Sequence, residues 1–430
     1  MIYPRLHLDK ESRSLAELSN KSSRAVGLYR YAADLSTSIW MFSYRFEWAA
    51  GQYGPVLRWW RGEPLPYEVL AHIAAGLPVV AHNAAFERIM WNTVMPRQSG
   101  WGDMLPLMTI KQMDCTAARA RAIGLPGDLE RAAKVVNAPV QKNSAGSEYM
   151  RKMMKPRSVA FSSEACGHRY WAGTPATRVI TDTFDRTELQ IGDNPADVMY
   201  LTWWYDLNLR NGLANYCDDD ILAECGVDVV VPALSDSERE TWELDQVIND
   251  RGVMIDAPFV QGLIKLVETA VAKANRRMWT LTNGKVKKCT DHGAVRKWLA
   301  ERNIKAHVIV DGELRESVGK GVTDELLENA GNDAVAREVI QLHNASSKSS
   351  TAKFNRALLA IAEDRRARGQ FVYHQASQTA RWAGQIIQLQ NLVRIDEDRD
   401  LPTIRVIVDI VENFDTATAF EMIGVLGVVQ

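Results

Sequence analysis

Asp9 and Glu11, the two carboxylates of Asp9-Lys10-Glu11, follow the short apolar run Leu6 to Leu8. If that run is a strand, residues i and i+2 share a face and both acids point the same way. Such a pair is costly without positive charge between its members, and divalent cations are a common answer. A third acid, Glu87, closes His82-Asn83-Ala84-Ala85-Phe86-Glu87 just after the apolar run Leu77 to Ala81. A strand end leading into a helix start puts Glu87 at the rim of a sheet, where ligands of α/β folds gather. Asn83 suits the helix N-cap. Tyr216 and Asp220 stand four apart in Tyr216-Cys217-Asp218-Asp219-Asp220. At that spacing a phenol and a carboxylate share one helical face and can address one water, while Asp218 and Asp219 face elsewhere. Together these residues have the makeup for two-metal phosphodiester hydrolysis. Asp9, Glu11, Glu87 and Asp220 would hold two Mg²⁺ ions (or Mn²⁺) about 4 Å apart, and Tyr216 would orient the attacking water. An isolated Asp-x-Glu reads first as two solvated acids at a strand end, and Glu87 or the 216–220 run as readily as a solvated helix start, so the argument rests on the joint pattern.

The elements that must position these residues follow from periodicity. Leu6 to Leu8, Ser38 to Phe46 and Leu77 to Ala81 read as strands, and 69–75 and 86–94 as helices, so that Leu6 to about Pro232 reads as an α/β layer structure. Residues 136–197 are rich in Ser, Gly, Pro and basic side chains with weak periodicity, and read as a loop-rich insertion. Beyond Ser235 the pattern turns helical. A helix is expected from Ser235 to Asp250, an amphipathic one over 258–280, and others over 292–302, 323–331 and 333–363. The apolar tail Thr403 to Val429 needs either a partner or a core of its own.

The chain has 430 residues, 46% of them apolar, enough for two or three cored domains. Lys plus Arg number 51 against 53 acids, a net charge of −2, so a polyanion site must be a local patch. With no apolar run of membrane-spanning length and no leader-like start, a soluble cytoplasmic protein is expected. The five cysteines are scattered with no Cys-x-x-Cys pair, which excludes a zinc ribbon and a disulfide framework.

Asp9-x-Glu11, His-Asn-x-x-Phe-Glu87 and Tyr216-x-x-x-Asp220 resemble the three motifs of the DnaQ-like (DEDD) 3′–5′ exonucleases, in the subclass whose third motif carries Tyr. The second motif departs from the pattern, having Glu87 where Asp is usual. The resemblance implies an RNase H-like domain over 1–232, with a mixed sheet and flanking helices. It also implies a single-stranded 3′ end as substrate, met by Asn83 and the stacking ring of Phe86. Asp114 would end a further strand in a structural role.

The segment Glu243 to Asp256 resembles the join between exonuclease and thumb in phage-type family A (Pol I-like) DNA polymerases. Tyr373 to Trp382 and Gln388 to Arg394 resemble that family's Thr-Gly-Arg and Gln-Asn-Leu motifs. The implied organisation is a helical thumb over 233–370 and the start of a palm over 371–430. From Gln341 to Arg394 there are eight basic residues against two acidic ones, a local charge of +6 suited to phosphates. Lys353, Arg356, Arg366, Arg381, Gln390 and Asn391 are the expected contacts to primer–template duplex, while Thr379 and His374 are expected to be structural. Gln375 and Ala380 stand where the family usually has Gly. No His is followed by Asp, and neither the palm carboxylates nor the Lys-bearing fingers helix is recognisable. The resemblance therefore points to a proofreading-type exonuclease in the N-terminal part of a truncated or split polymerase. Palm and fingers would come from a second polypeptide, in a phage-infected or prophage-bearing bacterial cell. Two other readings stay open: a DNA-binding, partner-recruiting subunit with a vestigial nuclease site, and a free-standing RNA-trimming exonuclease.

Overall fold

The computed structural model describes residues 3–18, 22, 24–141, 146–163, 185–190, 194–310, 312–346, 352–376, 379–392 and 397–425. They form a mixed α/β fold in two compact units, Met1–Met254 with Leu359–Gln390, and Ile255–Leu358 with Asn391–Gln430.

The first unit is built on a six-stranded mixed sheet of β1 (Arg5–Arg13), β2 (Ser38–Ala49), β3 (Gln52–Tyr53), β4 (Leu57–Trp60), β5 (Val79–Ala81) and β6 (Met113–Cys115). The order is β3-β2-β1-β5-β6, with β4 also on β2. β1 runs antiparallel to β2 from Arg5↔Glu47 to Arg13↔Ser38, with a register shift between Glu11 and Ser12. It runs parallel to β5, which in turn runs parallel to β6. The expected strand ended at Leu8, with the acids at its tip. The observed one continues to Arg13, because β2 is long enough to pair its polar half as well, and Asp9 and Glu11 lie well inside the sheet.

Among the described residues eight helices of this unit flank the sheets: α1 (Leu28–Ala33), α2 (Tyr67–Ala74), α3 (Ala84–Ser99), α4 (Thr116–Ala122), α5 (Leu129–Val135), α6 (Ser147–Met153), α7 (Leu207–Val230) and α8 (Asp236–Arg251). Alternation along β1 divides its side chains. Leu6 and Leu8 enter the main core with Met90, Trp91 and Val94 of α3, a burial that stabilises by about 2 kcal/mol for each leucine. Arg5, His7 and Asp9 meet α7 instead.

α7 starts at Asp206, whose carboxylate accepts from the Leu209 amide. Near its end Gly226 lets the helix approach closely, since a Cβ there would lie 2.6 Å from that of Ala138. Tyr216 and Asp220 therefore sit in mid-helix and are buried, rather than at an exposed helix start.

The loop-rich expectation for 136–197 is corrected where that stretch is described. α6 is followed by a three-stranded antiparallel sheet of β7 (Pro156–Phe161), β8 (Asp185–Gln190) and β9 (Val198–Trp203), in the order β7-β9-β8. Met199, Leu201 and Trp203 give β9 a buried alternating face that the polar flanks hid from a periodicity reading.

α8 is capped by Ser235, as its sequence suggests, but it belongs with the first unit rather than with a domain beginning at 233. Its Trp242 joins the main core, as does Tyr373 from the returning segment. Asn249 exchanges side-chain hydrogen bonds with the backbone of Phe371, at 2.9 and 3.0 Å, and its carbonyl accepts from Gly369.

The second unit is mainly helical. Its helices Ala257–Leu281, His292–Ala300 and Thr323–Asn329 match the expected ones. The single helix foreseen over 333–363 is two, Ala334–Ser346 and Ala352–Ala360. The apolar tail makes the helices Glu397–Asn413 and Thr416–Val425, where Ile410, Ala419 and Ile423 form a small core against Leu266. The tail thus has apolar cover within its own unit. Among the described residues no helix is long and apolar enough to cross a membrane.

Candidate active site

Asp9 and Glu11 come together as the strand period requires, and the element opposite them is α7. One oxygen from each carboxylate and the Cys217 sulfur lie within 4.8 Å of one another. The Cys217 thiol donates to the Asp9 carbonyl at 3.4 Å and to its Oδ2 at 3.3 Å. Burial first, then the neighbouring charges of Asp9 and Glu11, push this thiol well above the ordinary cysteine range, so it stays protonated. Tyr216 and Asp220 occupy the same stretch of α7, one residue before and three after Cys217. The Tyr216 ring packs on Gly146, where a Cβ would come within 2.5 Å of it. Asp218, expected to face elsewhere, instead borders the cluster: it accepts from Ser43 Oγ at 2.6 Å, the residue opposite Asp9 in the sheet, and from Arg58.

Glu87 is not brought to this cluster. Its carboxylate accepts a 2.7 Å hydrogen bond from Lys10 Nζ, which also reaches the Glu87 carbonyl at 3.1 Å. Lys10 lies between Asp9 and Glu11 in sequence and therefore points from the opposite face of β1, towards Trp91 of α3. Lys10 and Glu87 are both buried, and burial pushes the Glu87 carboxyl up and the Lys10 ammonium down, each partly offset by the other's charge.

Further along the α7 face, charge is neutralised pair by pair. Arg5 bonds Glu47 at 2.7 Å, Asp228 at 2.8 Å and Asp114 at 2.9 Å, and Arg119 joins both Asp114 and Asp228. The structural role expected of Asp114 is this ion pairing. His7 Nδ1 meets Glu224 at 2.7 Å. Burial is the largest influence and opposes charging of His7, but Glu224, Cys225 and Glu47 together outweigh it and hold the imidazolium well above its usual range. Asp228 stays low despite burial, because of Arg5 and Arg119. Apart from Asp114, sequence reading gives none of these residues a role, nor Cys217. The signal was present in the stripe Cys217, Glu224, Asp228 at helical spacing and in the polar alternation Arg5, His7, Asp9, Glu11.

The donors fit one divalent cation better than two. The Asp9 and Glu11 oxygens suit Mg²⁺ or Mn²⁺, whereas Cys217 adds a softer atom. A second ion would call on Glu87, which is engaged with Lys10.

Of the residues expected at DNA, Asn83 is exposed at the start of α3, in a left-handed conformation (φ 70°) and without a side-chain cap. Phe86 is half-buried against the core. Lys353 and Arg356 lie on the helix Ala352–Ala360, and Lys353 donates to the Asn391 carbonyl at 2.9 Å. Arg366 bonds the Gly252 carbonyl at 3.1 Å. Arg381, Gln390 and Asn391 are exposed, the first on the hairpin strand Arg381–Gly384. Ala380 takes a left-handed φ of 50°, the conformation glycine favours. Lys348 and Arg394, counted in the basic stretch, lie outside the described residues.

No family model matches this chain. It is 27% identical over 403 residues to a protein named DNA polymerase from Bacillus phage SP02, covering 93% of this chain and 53% of that relative. The chain is thus a homologue of a phage DNA polymerase and spans about half its length. A solved structure titled as the POL domain of Pol1 from M. smegmatis, in complex with DNA primer-template and dNTP, aligns with a TM-score of 0.43 and 13% identity, over 91% of this chain and 52% of that one.

Proposed function

We propose that the first unit is a metal-dependent 3′–5′ exonuclease of RNase H-like type, working on DNA within a polymerase of family A. The observation that carries this reading is the convergence of Asp9 and Glu11 on the turn of α7 that holds Tyr216, Cys217 and Asp220. The mixed sheet supports it, with β2 antiparallel to β1 and the acids on the central strand. So does the relationship to a phage DNA polymerase.

In this mechanism a frayed 3′ end enters as single strand, and its terminal base stacks on Phe86 beside Asn83. Asp9 and Glu11 would hold the divalent cation, Mg²⁺ or Mn²⁺. When bound, that cation neutralises phosphate charge and acidifies a water. Tyr216 orients the attacking water, and Asp220, one turn along the helix, completes the acidic wall. Glu87 acts through Lys10, as a positioning residue that fixes β1 between its two layers. Lys353, Arg356, Arg366, Arg381, Gln390 and Asn391 meet the backbone of duplex DNA, so its binding weakens steeply with salt.

The test is digestion of a 5′-labelled single strand with Mg²⁺ present. The wild type should shorten it from the 3′ end one nucleotide at a time, and Asp9→Asn should not. Equal shortening by both proteins would end the proposal, and a matching RNA strand tests substrate preference.

A second reading is favoured by the Lys10–Glu87 pair and by the thiol among the acids: a DNA-binding subunit whose nuclease centre is vestigial. Retarded migration of the labelled strand without any shortening, with Mg²⁺ or Mn²⁺, would select it.

A further inference from the structure

The first unit contains a cavity of about 280 Å³ to which neither Asp9 nor Glu11 contributes. Tyr29, Phe86, Trp242 and Tyr373 give it aromatic walls, and Asp245 and Gln246 of α8 form its polar side. Both polar residues are more than nine-tenths buried, at 2% and 5% exposure. Asp245 Oδ2 accepts from Gln246 Nε2 at 2.9 Å and from Asn249 Nδ2 at 3.2 Å. The other oxygens, Asp245 Oδ1 and Gln246 Oε1, have no hydrogen-bond partner among the described residues, and neither does Arg121 Nε, also in the wall. Buried polar atoms are normally satisfied, so two unpartnered acceptors on neighbouring side chains that line one cavity point to a ligand with donors. The space far exceeds the roughly 30 Å³ that one water occupies. Aromatic walls favour a planar ring over a flexible chain.

We propose that this cavity is a nucleobase site, recognising a ring that offers two neighbouring N–H donors to Asp245 and Gln246. Guanine is the natural base that carries an imino and an amino donor side by side on one edge. Arg121, the cationic side chain of the lining, suits the phosphate of a 5′-nucleotide. The base can belong to a free nucleotide or to the end of a strand. Phe86 and Asn83 line this cavity too, so for a strand end the inference rests on the proposed exonuclease reading and names the base it would favour, whereas for a free nucleotide it stands on the acceptors of α8 alone.

The experiment titrates the full chain with dGMP in excess EDTA at pH 8, above the raised Asp245 value of about 7 so that the carboxylate accepts, and reads calorimetry together with quenching of tryptophan emission. Saturable binding is expected. The 5′-monophosphate of purine deoxyriboside, which lacks both donors, should bind at least about tenfold more weakly to the unaltered protein. Asp245→Asn should weaken dGMP by a similar factor, whereas Asp9→Asn should leave binding unchanged. Competition by an oligonucleotide ending in 3′-dG would identify a strand end as the source of the base, and its absence a free nucleotide. Lack of saturation at millimolar dGMP would overturn the proposal, as would equal affinity for the donor-free purine. Loss of binding in Asp9→Asn would move the nucleotide to the acidic cluster and overturn it too. If Asp245→Asn does not fold, the comparison of the two nucleotides on the wild type decides.

Discussion

The two faces of β1 handle buried charge in opposite ways. Towards α3 the strand sends Leu6, Leu8 and one cation, Lys10, which is matched by one anion, Glu87. Towards α7 it sends Arg5, His7, Asp9 and Glu11, and along this face the group that meets a carboxylate changes from the Arg5 guanidinium to the His7 imidazole to the Cys217 thiol. A matched pair in an apolar layer locks a strand in register and offers nothing to a ligand. A row whose partners weaken towards one end concentrates negative charge there, where a cation can be taken up. One residue of parity separates these outcomes, and it is why Glu87 and the Asp9–Glu11 pair do not meet.

The contrast can be broken most directly by rate. Asp9→Asn should cut strand degradation by about a thousandfold or more, since a lost metal ligand removes several kcal/mol of transition-state stabilisation. Glu87→Gln should cost less than about tenfold, and equal losses would put Glu87 in the reacting cluster after all. Stability is the next lever. Arg5→Leu takes the shared cation from three carboxylates, two of which keep Arg119, and should cost about 4 kcal/mol in urea unfolding, and Lys10→Met, which strands Glu87, about 3. The double change Lys10→Met with Glu87→Leu should regain most of that, and failure to do so would show the pair to be more than charge matching.

A carboxylate away from both faces sharpens the point through pH. Asp245, with no ion pair among the described residues, is pushed up to about 7 by burial. The folded state therefore holds this proton more tightly than the unfolded chain does. The resulting stabilisation is full below about pH 4 and is lost as pH rises through 7, on the order of 2–4 kcal/mol. Asp245→Asn should lack that slope when unfolding is followed from pH 4 to 8. The smallest effect concerns the thiol. Cys217→Ala should reduce Cd²⁺ or Zn²⁺ affinity roughly tenfold while Mg²⁺ affinity hardly changes, by softness of the donor alone. An equal loss for all three ions would mean that Cys217 shapes the site rather than ligating.

Local signals announced much of this architecture. Ser235 caps the helix whose start its side chain predicts, the amphipathic spacing predicts the helices over 258–280 and 292–302, and the Asp9–Glu11 pairing follows from the strand period. The far half of β1 was hidden because Asp9 to Arg13 reads as solvated, and only the partner strand makes it a buried element. The insertion was hidden because its ladder joins segments far apart in the chain, such as Phe161↔Met199, and no local pattern records that. The acidic site was legible in part. The same alternation that joined Asp9 to Glu11 assigns Lys10 to the other face, but that it captures Glu87 depends on how α3 packs.

The hydrogen bonds between Asn249 and Phe371 have a practical consequence. A fragment cut after Met254 would discard Leu359–Gln390, uncover Trp242 and remove one wall of the cavity on α8. Anyone wishing to express the sheet-bearing half by itself should splice the two stretches with a flexible tether, because simple truncation would yield an aggregating product whose inactivity says nothing about the enzyme.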